Sequence, residues 1–266
     1  MIFPLHITAF NKQQTTGYDV NYQAILDKGT LNGDTLPSST VQDAQNQLVL
    51  DMKSIGFWAL IDSFWNWCPG STSVIQFRLM DWKSTDYGSD ISSNLIYNAD
   101  SLQGNSAGTG YFRTLKSLAS YTNYSQNDAC RGAIRKSVSG GREWSLNGTA
   151  ARESWWNSNS PNHRINQNLN ANDTNYNSLT DTGLIAIGRY SSTDIHLWHQ
   201  ATVSSRVSTS TAVSSNSMKV FSMGTHYSDS ELMCFFEGAY INDTIMQDFR
   251  TAFNTYLTTL GYSAIA

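Results

Sequence analysis

Residues 234–261, CFFEGAYINDTIMQDFRTAFNTYLTTLG, limit the fold more than any other segment. Cys234, Phe235, Phe236, Ala239, Tyr240 and Ile241 make an apolar and aromatic run of strand type, interrupted by Glu237 and Gly238. Asn242 or Asp243 can cap a following helix, because a short polar side chain accepts hydrogen bonds from the free N–H groups of the first turn. Ile245, Phe249, Phe253, Tyr256 and Leu260 then recur every three or four residues as one apolar stripe, and Gly261 stands where the helix should stop. The segment predicts a strand, a tight turn and a closing amphipathic helix. What precedes it reads mostly as short strands and polar loops. Such a β-rich body is more often a scaffold for binding or assembly than for chemistry.

At 266 residues the chain can bury a real core, and an all-β sandwich of this length is commonly one domain. The net charge is −4, whereas phosphate binding needs clustered Lys and Arg, so no nucleic-acid partner is expected. Charged residues make up 14% of the chain, and Ser, Thr, Asn and Gly are abundant, which suits an extracellular or particle-surface β protein hydrated by hydroxyls and amides. Aromatics reach 12%, with eight Trp and thirteen Tyr, enough for a large interface or ligand platform as well as a sandwich core. Cys68, Cys130 and Cys234 are far apart, odd in number and outside any CxxC spacing, so buried free thiols are expected, with one bridge and a spare thiol as the alternative. MIFPLHITAF lacks the basic flank and long apolar run of a signal peptide, and no stretch is long enough to span a bilayer.

Along the chain, residues 1–38 read as an N-terminal arm, punctuated by Gly29, Gly33 and Pro37, that packs on its own domain or on a neighbour. Removing residues 1–36 is accordingly expected to leave a folded domain. Thr40 and Asp43 resemble a capping box, and Val41, Ala44, Leu48, Met52 and Ile55 form a helical stripe ending at Gly56, which predicts a helix near 40–55. FWALIDSFWNWC then reads as a strand buried on both faces. Further strands are predicted over 74–80, 110–115, 129–138, 143–147, 163–169, 183–190, 194–203, 218–224 and 234–241, separated by turn-rich segments as in an antiparallel sandwich or jelly roll. The polar run 137–162 reads as a hairpin with a long loop, and residues 39–266 as one domain.

Tests for chemistry return little. His196 and His199 are three apart, so on a strand they face opposite ways and cannot grip one zinc ion without a break in the strand; ordinary strand histidines are the plain reading. Glycoside hydrolysis needs two carboxylates about 5 to 10 Å apart, and no E-x-D-x-E strand is present among the four Glu, which are Glu143, Glu153, Glu231 and Glu237. No enzyme is expected. Asp81, Asp86 and Asp90, beside Gly88, suit an oxygen-rich calcium loop, although the plain reading is a solvated acidic loop. Trp155 and Trp156 with Arg152 and His163 form the mixture of rings and polar groups that a sugar or a protein partner would use, with core packing as the plain reading.

The order of elements resembles the laminin-G-like, concanavalin A-like jelly-roll proteins of tailed bacteriophage virions. The pieces that carry the likeness are QLVLDMKSIGFWALIDSFWNWC (47–68), VIQFRLMDW (74–82), GTGYFRT (108–114), GLIAIGRYSS (183–192) and EGAYINDTIMQDFRTAFNTYLTTLG (237–261). The resemblance implies an all-β antiparallel sandwich with a helix near 40–55 and a short C-terminal helix near 243–260. It implies a virion location and a structural role as decoration, minor capsid or tail-fibre protein, in several copies against other virion proteins. A lectin-like module for host surface glycans and a polysaccharide-degrading enzyme are the alternatives. The family carries no shared catalytic motif, and the likeness leaves residues 1–39 uncovered.

Overall fold

The computed structural model describes residues 17–71, 73–91, 94–105, 107, 109–137, 141–146, 154–157, 163–166, 182–223 and 226–265. Helices α1 (Val20–Asn32), α2 (Ser39–Ser54) and α3 (Phe57–Leu60) lead into β1 (Ile61–Asn66), and a single-turn helix α4 (Ile75–Arg78) follows. Next come β2 (Ser89–Ile91), β3 (Ile96–Tyr97), β4 (Leu102–Gln103), β5 (Tyr111–Ser117), β6 (Ala129–Ser137), β7 (Gly141–Leu146), β8 (Ser154–Asn157) and β9 (His163–Arg164). The chain then forms β10 (Gly183–Arg189), β11 (Asp194–His199), β12 (Thr202–Val207), β13 (Ser217–Val220), β14 (Ser222–Met223), β15 (His226–Tyr227) and β16 (Glu231–Gly238), and closes with α5 (Asp243–Thr259).

An eight-stranded sheet runs β12-β11-β10-β6-β16-β4-β3, with β1 also paired to β16. A six-stranded sheet runs β2-β5-β13-β7-β8-β9, and β14 pairs with β15. These pairings are antiparallel, so the chain is an all-β antiparallel sandwich with added helices. The larger sheet is the middle layer. Leu184, Ala186, Phe64 and Phe236 belong to a core shared with the helices, whereas their strand neighbours Ile185, Ile187, Trp65 and Phe235 belong to a second core between the sheets. Side chains alternate across a strand, so two apolar layers require apolar residues at successive positions. That is why 61–66 and 183–189 lack a polar face.

The closing helix forms as its sequence dictates. The Asn242 side chain accepts from the Ile245 N–H at 3.0 Å. Met246, Phe249, Phe253, Tyr256 and Leu257 are buried, and the Phe249 ring stacks on Phe57 with centroids 4.0 Å apart. On α2 the stripe Ala44, Leu48, Met52 is buried as expected, but Ser38 takes the N-cap position and no side chain caps the helix. Thr40 lies inside the helix, and Asp43 accepts instead from the Tyr18 hydroxyl at 3.1 Å.

Where the structure describes the expected arm over residues 1–38, it packs on its own domain, the first of the two expected alternatives. Asp19 caps α1 by accepting from the Asn21 N–H, Lys53 pairs with that carboxylate at 2.7 Å, and Gly33 ends the helix at φ 75°. Tyr22, Ile25 and Leu26 are core residues, so truncation at residue 36 would remove part of the core rather than release a tether. Residues 1–16 lie outside the described residues. The expected strand over 74–80 is also corrected to the helical turn α4. Val74, Phe77 and Met80 are buried three apart, and Arg78 turns inward to donate to the carbonyls of Ser71 and Ser101. The expected strand over 194–203 folds instead into the hairpin β11–β12, with Gln200 at φ 55° in its turn. The expected strand over 218–224 breaks at Phe221, φ 69°; of that over 163–169, His163–Arg164 form β9, and residues 167–169 lie outside the described residues.

Candidate functional site

An open aromatic site lies on the helix side of the large sheet, beside the start of α5. β10, β11 and β12 pair in register, so the residues on this face line up in rows. Gly188, His196 and Ser205 form one row, and Ala186, Trp198 and Val203 the next. Tyr190, just past β10, completes a third row with Asp194 and Val207 through its N–H to the Asp194 carbonyl at 3.4 Å. The alternate residues Ile195 and Leu197 point into the core between the sheets, which fixes the direction of His196 and Trp198.

Tyr240, beyond the end of β16, leans over these rows. Its hydroxyl and His196 Nδ1 are 2.8 Å apart, and its ring centroid lies 5.1 Å from Tyr190 and 5.7 Å from Trp198. The Tyr190 ring meets the imidazole edge-on at 4.6 Å. Asp243, the first residue of α5, accepts from Trp198 Nε1 at 3.0 Å and lies 3.6 Å from His196 Nδ1. The rings can lie this close to the sheet because residue 188 is glycine: an added Cβ would stand 2.7 Å from Trp198 and 3.0 Å from Tyr240. Trp198 is fully buried as the floor, whereas Tyr190 is 43% exposed and Val207 78% exposed. The result is an open shelf of aromatic rings edged by an imidazole, a serine hydroxyl and two carboxylates. Hydrogen bonds from Ser191 and Thr193 hold the Asp194 carboxyl below the usual range, so it is ionised at neutral pH.

The residues singled out from sequence fare unevenly. The hairpin over 137–162 is present as β7 paired with β8, and Trp155 opposes Trp144 and His163 in the backbone register. His163 is fully buried, so it cannot meet a glycan as expected. Arg152 and the side chains of Trp155 and Trp156 lie outside the described residues. His196 and His199 do face opposite ways, since His196 lies on the shelf and His199 opposes Ile185.

Asp81, Asp86 and Asp90 do not converge as a calcium loop would require. Buried Asp81 accepts from the N–H groups of Phe64 and Lys83 and from the Ser84 hydroxyl, Asp86 pairs with Lys116 at 2.9 Å, and Asp90 accepts from Tyr97 at 2.8 Å. Among the described residues, no group of three or more His, Cys, Asp or Glu could hold a metal ion. Burial pushes the Asp81 carboxyl up to about 6 against the opposing pull of the Phe64 and Lys83 N–H groups.

Glu237 is fully buried between the sheets, paired with Arg131 at 2.7 Å and accepting from the Tyr121 hydroxyl at 2.9 Å. Burial raises its carboxyl above the usual range in spite of Arg131. Asp100 and Glu231 share Lys136, at 2.8 and 3.2 Å, beside a cleft of about 580 Å³ lined also by Met233 and Tyr262. All three cysteines are buried and free, as expected, and their thiols are pushed up by burial. No helix among the described residues is long and apolar enough to cross a membrane.

No family model and no curated protein matches the chain. Among solved structures, the binding domain of Paraclostridial mosquitocidal protein 1 superposes with a TM-score of 0.50 at 12% identity, covering 75% of this chain and 53% of that one. Domain 4 of AbnA, a GH43 extracellular arabinanase from Geobacillus stearothermophilus in complex with arabinotriose, gives 0.43 at 9% identity, covering 71% and 98%. Trypanosoma rangeli sialidase gives 0.39 at 10% identity, covering 78% and 38%. The chain thus spans about half the length of the toxin chain and less of the sialidase. The toxin-domain likeness is one of fold, and it agrees with the antiparallel sandwich described above.

Proposed function

We propose that this chain is a non-catalytic carbohydrate-recognition module. The observation that carries the reading is the shelf, where the exposed Tyr190 ring adjoins Tyr240 and His196, with the Asp243 carboxylate at its edge. Sugars present apolar C–H faces that stack on such rings, and hydroxyls that donate to carboxylates and imidazole. The toxin domain of similar fold is itself a binding domain, which is in keeping with this reading.

Binding without catalysis is favoured by the state of the described acids. Glu237 is sealed behind Arg131, and Asp100 and Glu231 are both paired with Lys136, so neither arrangement offers the free acid and base that glycoside cleavage needs. In the setting that the phage resemblance implies, the module would sit on the virion surface and serve host attachment. Contacts with other virion proteins would fall to residues 1–16 rather than to the whole of 1–38, since Tyr22, Ile25 and Leu26 are used internally.

A glycan array probed with the wild type, Tyr190→Ala, His196→Ala and the pair Trp155→Ala and Trp156→Ala tests this. Truncating an aromatic anchor that acts as a hot spot costs about 2 kcal/mol, so Tyr190→Ala is expected to weaken the leading signal by about thirtyfold, with the two Trp variants unchanged. A wild-type array without signal, or a signal that survives Tyr190→Ala and His196→Ala, would contradict the proposal.

A further inference from the structure

Beside the shelf, β12 turns Val203, Ser205 and Val207 to the same face as Trp198, His196 and Asp194. All three are exposed, Val207 at 78%. Arg206, between them in sequence, points the other way and donates to the His163 carbonyl. An apolar–hydroxyl–apolar row therefore runs along the strand beside the aromatic shelf. Alternate residues on one strand face are about 6.6 Å apart and neighbouring strands about 4.8 Å, so the row adds roughly 13 Å to the binding surface, more than one pyranose ring covers.

Among the described residues of these rows and Asp243, the fixed charges have one sign. Asp194 and Asp243 contribute carboxylates, and none of the residues on the three rows is Lys or Arg. Carboxylates accept hydrogen bonds from neutral sugar hydroxyls, whereas they repel a uronate or sialate brought onto the same surface. We infer that the ligand is an uncharged oligosaccharide lying along β12, with one ring on Tyr190 and Tyr240 and the next against Val207 and Val203, its hydroxyls read by Ser205, Asp194 and Asp243. This inference rests on the shelf reading and adds to it a minimum length and a charge class.

The test is an array carrying neutral, uronate-bearing and sialylated glycans from monosaccharide to hexasaccharide, read with the wild type and the double variant Val203→Ser, Val207→Ser. Expected hits are neutral, and trisaccharides bind at least tenfold more tightly than the corresponding monosaccharides. The double variant loses that gain while keeping the monosaccharide signal, and its circular dichroism matches the wild type. Equal affinity for monomer and trimer, an unaltered gain in the double variant, or preference for acidic glycans overturns this inference and leaves the shelf reading standing. An array with no hits overturns both.

Discussion

Replacing Arg131 by Met is expected to cost about 3–5 kcal/mol of stability, because it leaves the Glu237 carboxylate buried without its cation. Both side chains have no exposed surface, and their 2.7 Å contact lies between the sheets on adjacent strands β6 and β16. In the single variant, the Tyr121 hydroxyl and neighbouring dipoles cannot replace a guanidinium. The double variant Arg131→Met, Glu237→Leu removes both charges and keeps apolar volume, so it should recover most of the loss. Chemical denaturation of the three proteins at neutral pH measures this. A double variant as unstable as the sum of the two single ones would mean that the pair contributes through packing and its other hydrogen bonds rather than as coupled charges.

Asp81 makes stability depend on pH in a direction opposite to most surface acids. Its folded value of about 6 stands above the ordinary 3.8, so the folded state holds the proton more tightly than the unfolded chain. The stability this contributes is fully present below the unfolded value and is lost as pH rises through the folded one. Between pH 7 and pH 4.5 the wild type should therefore gain about 2 kcal/mol relative to Asp81→Asn. The Asn side chain can still accept from the Phe64 and Lys83 N–H groups, so the variant should fold. Groups common to both proteins, such as Glu237 and Asp86, cancel in that difference. Parallel stability profiles for the two proteins across this range would show that Asp81 is not held in a raised state.

The parts of this fold that sequence reveals are those decided within one contiguous window. The Asn242 cap, the stripe through Phe249, Phe253 and Tyr256, and the two-faced burial of 61–66 and 183–189 all follow from spacing. The 74–80 segment reads wrongly because its alternating apolar residues fit a strand, while the inward turn of Arg78 depends on carbonyls at Ser71 and Ser101 that local spacing does not disclose. The α1 stripe Tyr22, Ile25, Leu26 and Gly29 was available, with Asp19 and Gly33 as its end signals, but the flanking glycines and proline suggest an arm instead. The shelf is harder still. Tyr190, His196, Ser205, Tyr240 and Asp243 come from five places in the chain and meet only through the β10–β11–β12 register and the position of α5. Only the tyrosine that ends the predicted strand over 183–190 gives a local sign. Adjacent tryptophans at 155 and 156 are the louder sequence signal.

The proposed sugar site is the shelf beside α5. The most direct measurement is NMR mapping with an oligosaccharide that the array identifies, following backbone amides, the indole N–H groups and the His196 imidazole during titration. The largest shifts are expected at Tyr190, His196, Trp198, Ser205 and Tyr240. Shifts confined to the β7–β8 hairpin around Trp155 and Trp156, or to the cleft at Asp100, Lys136 and Tyr262, would contradict it.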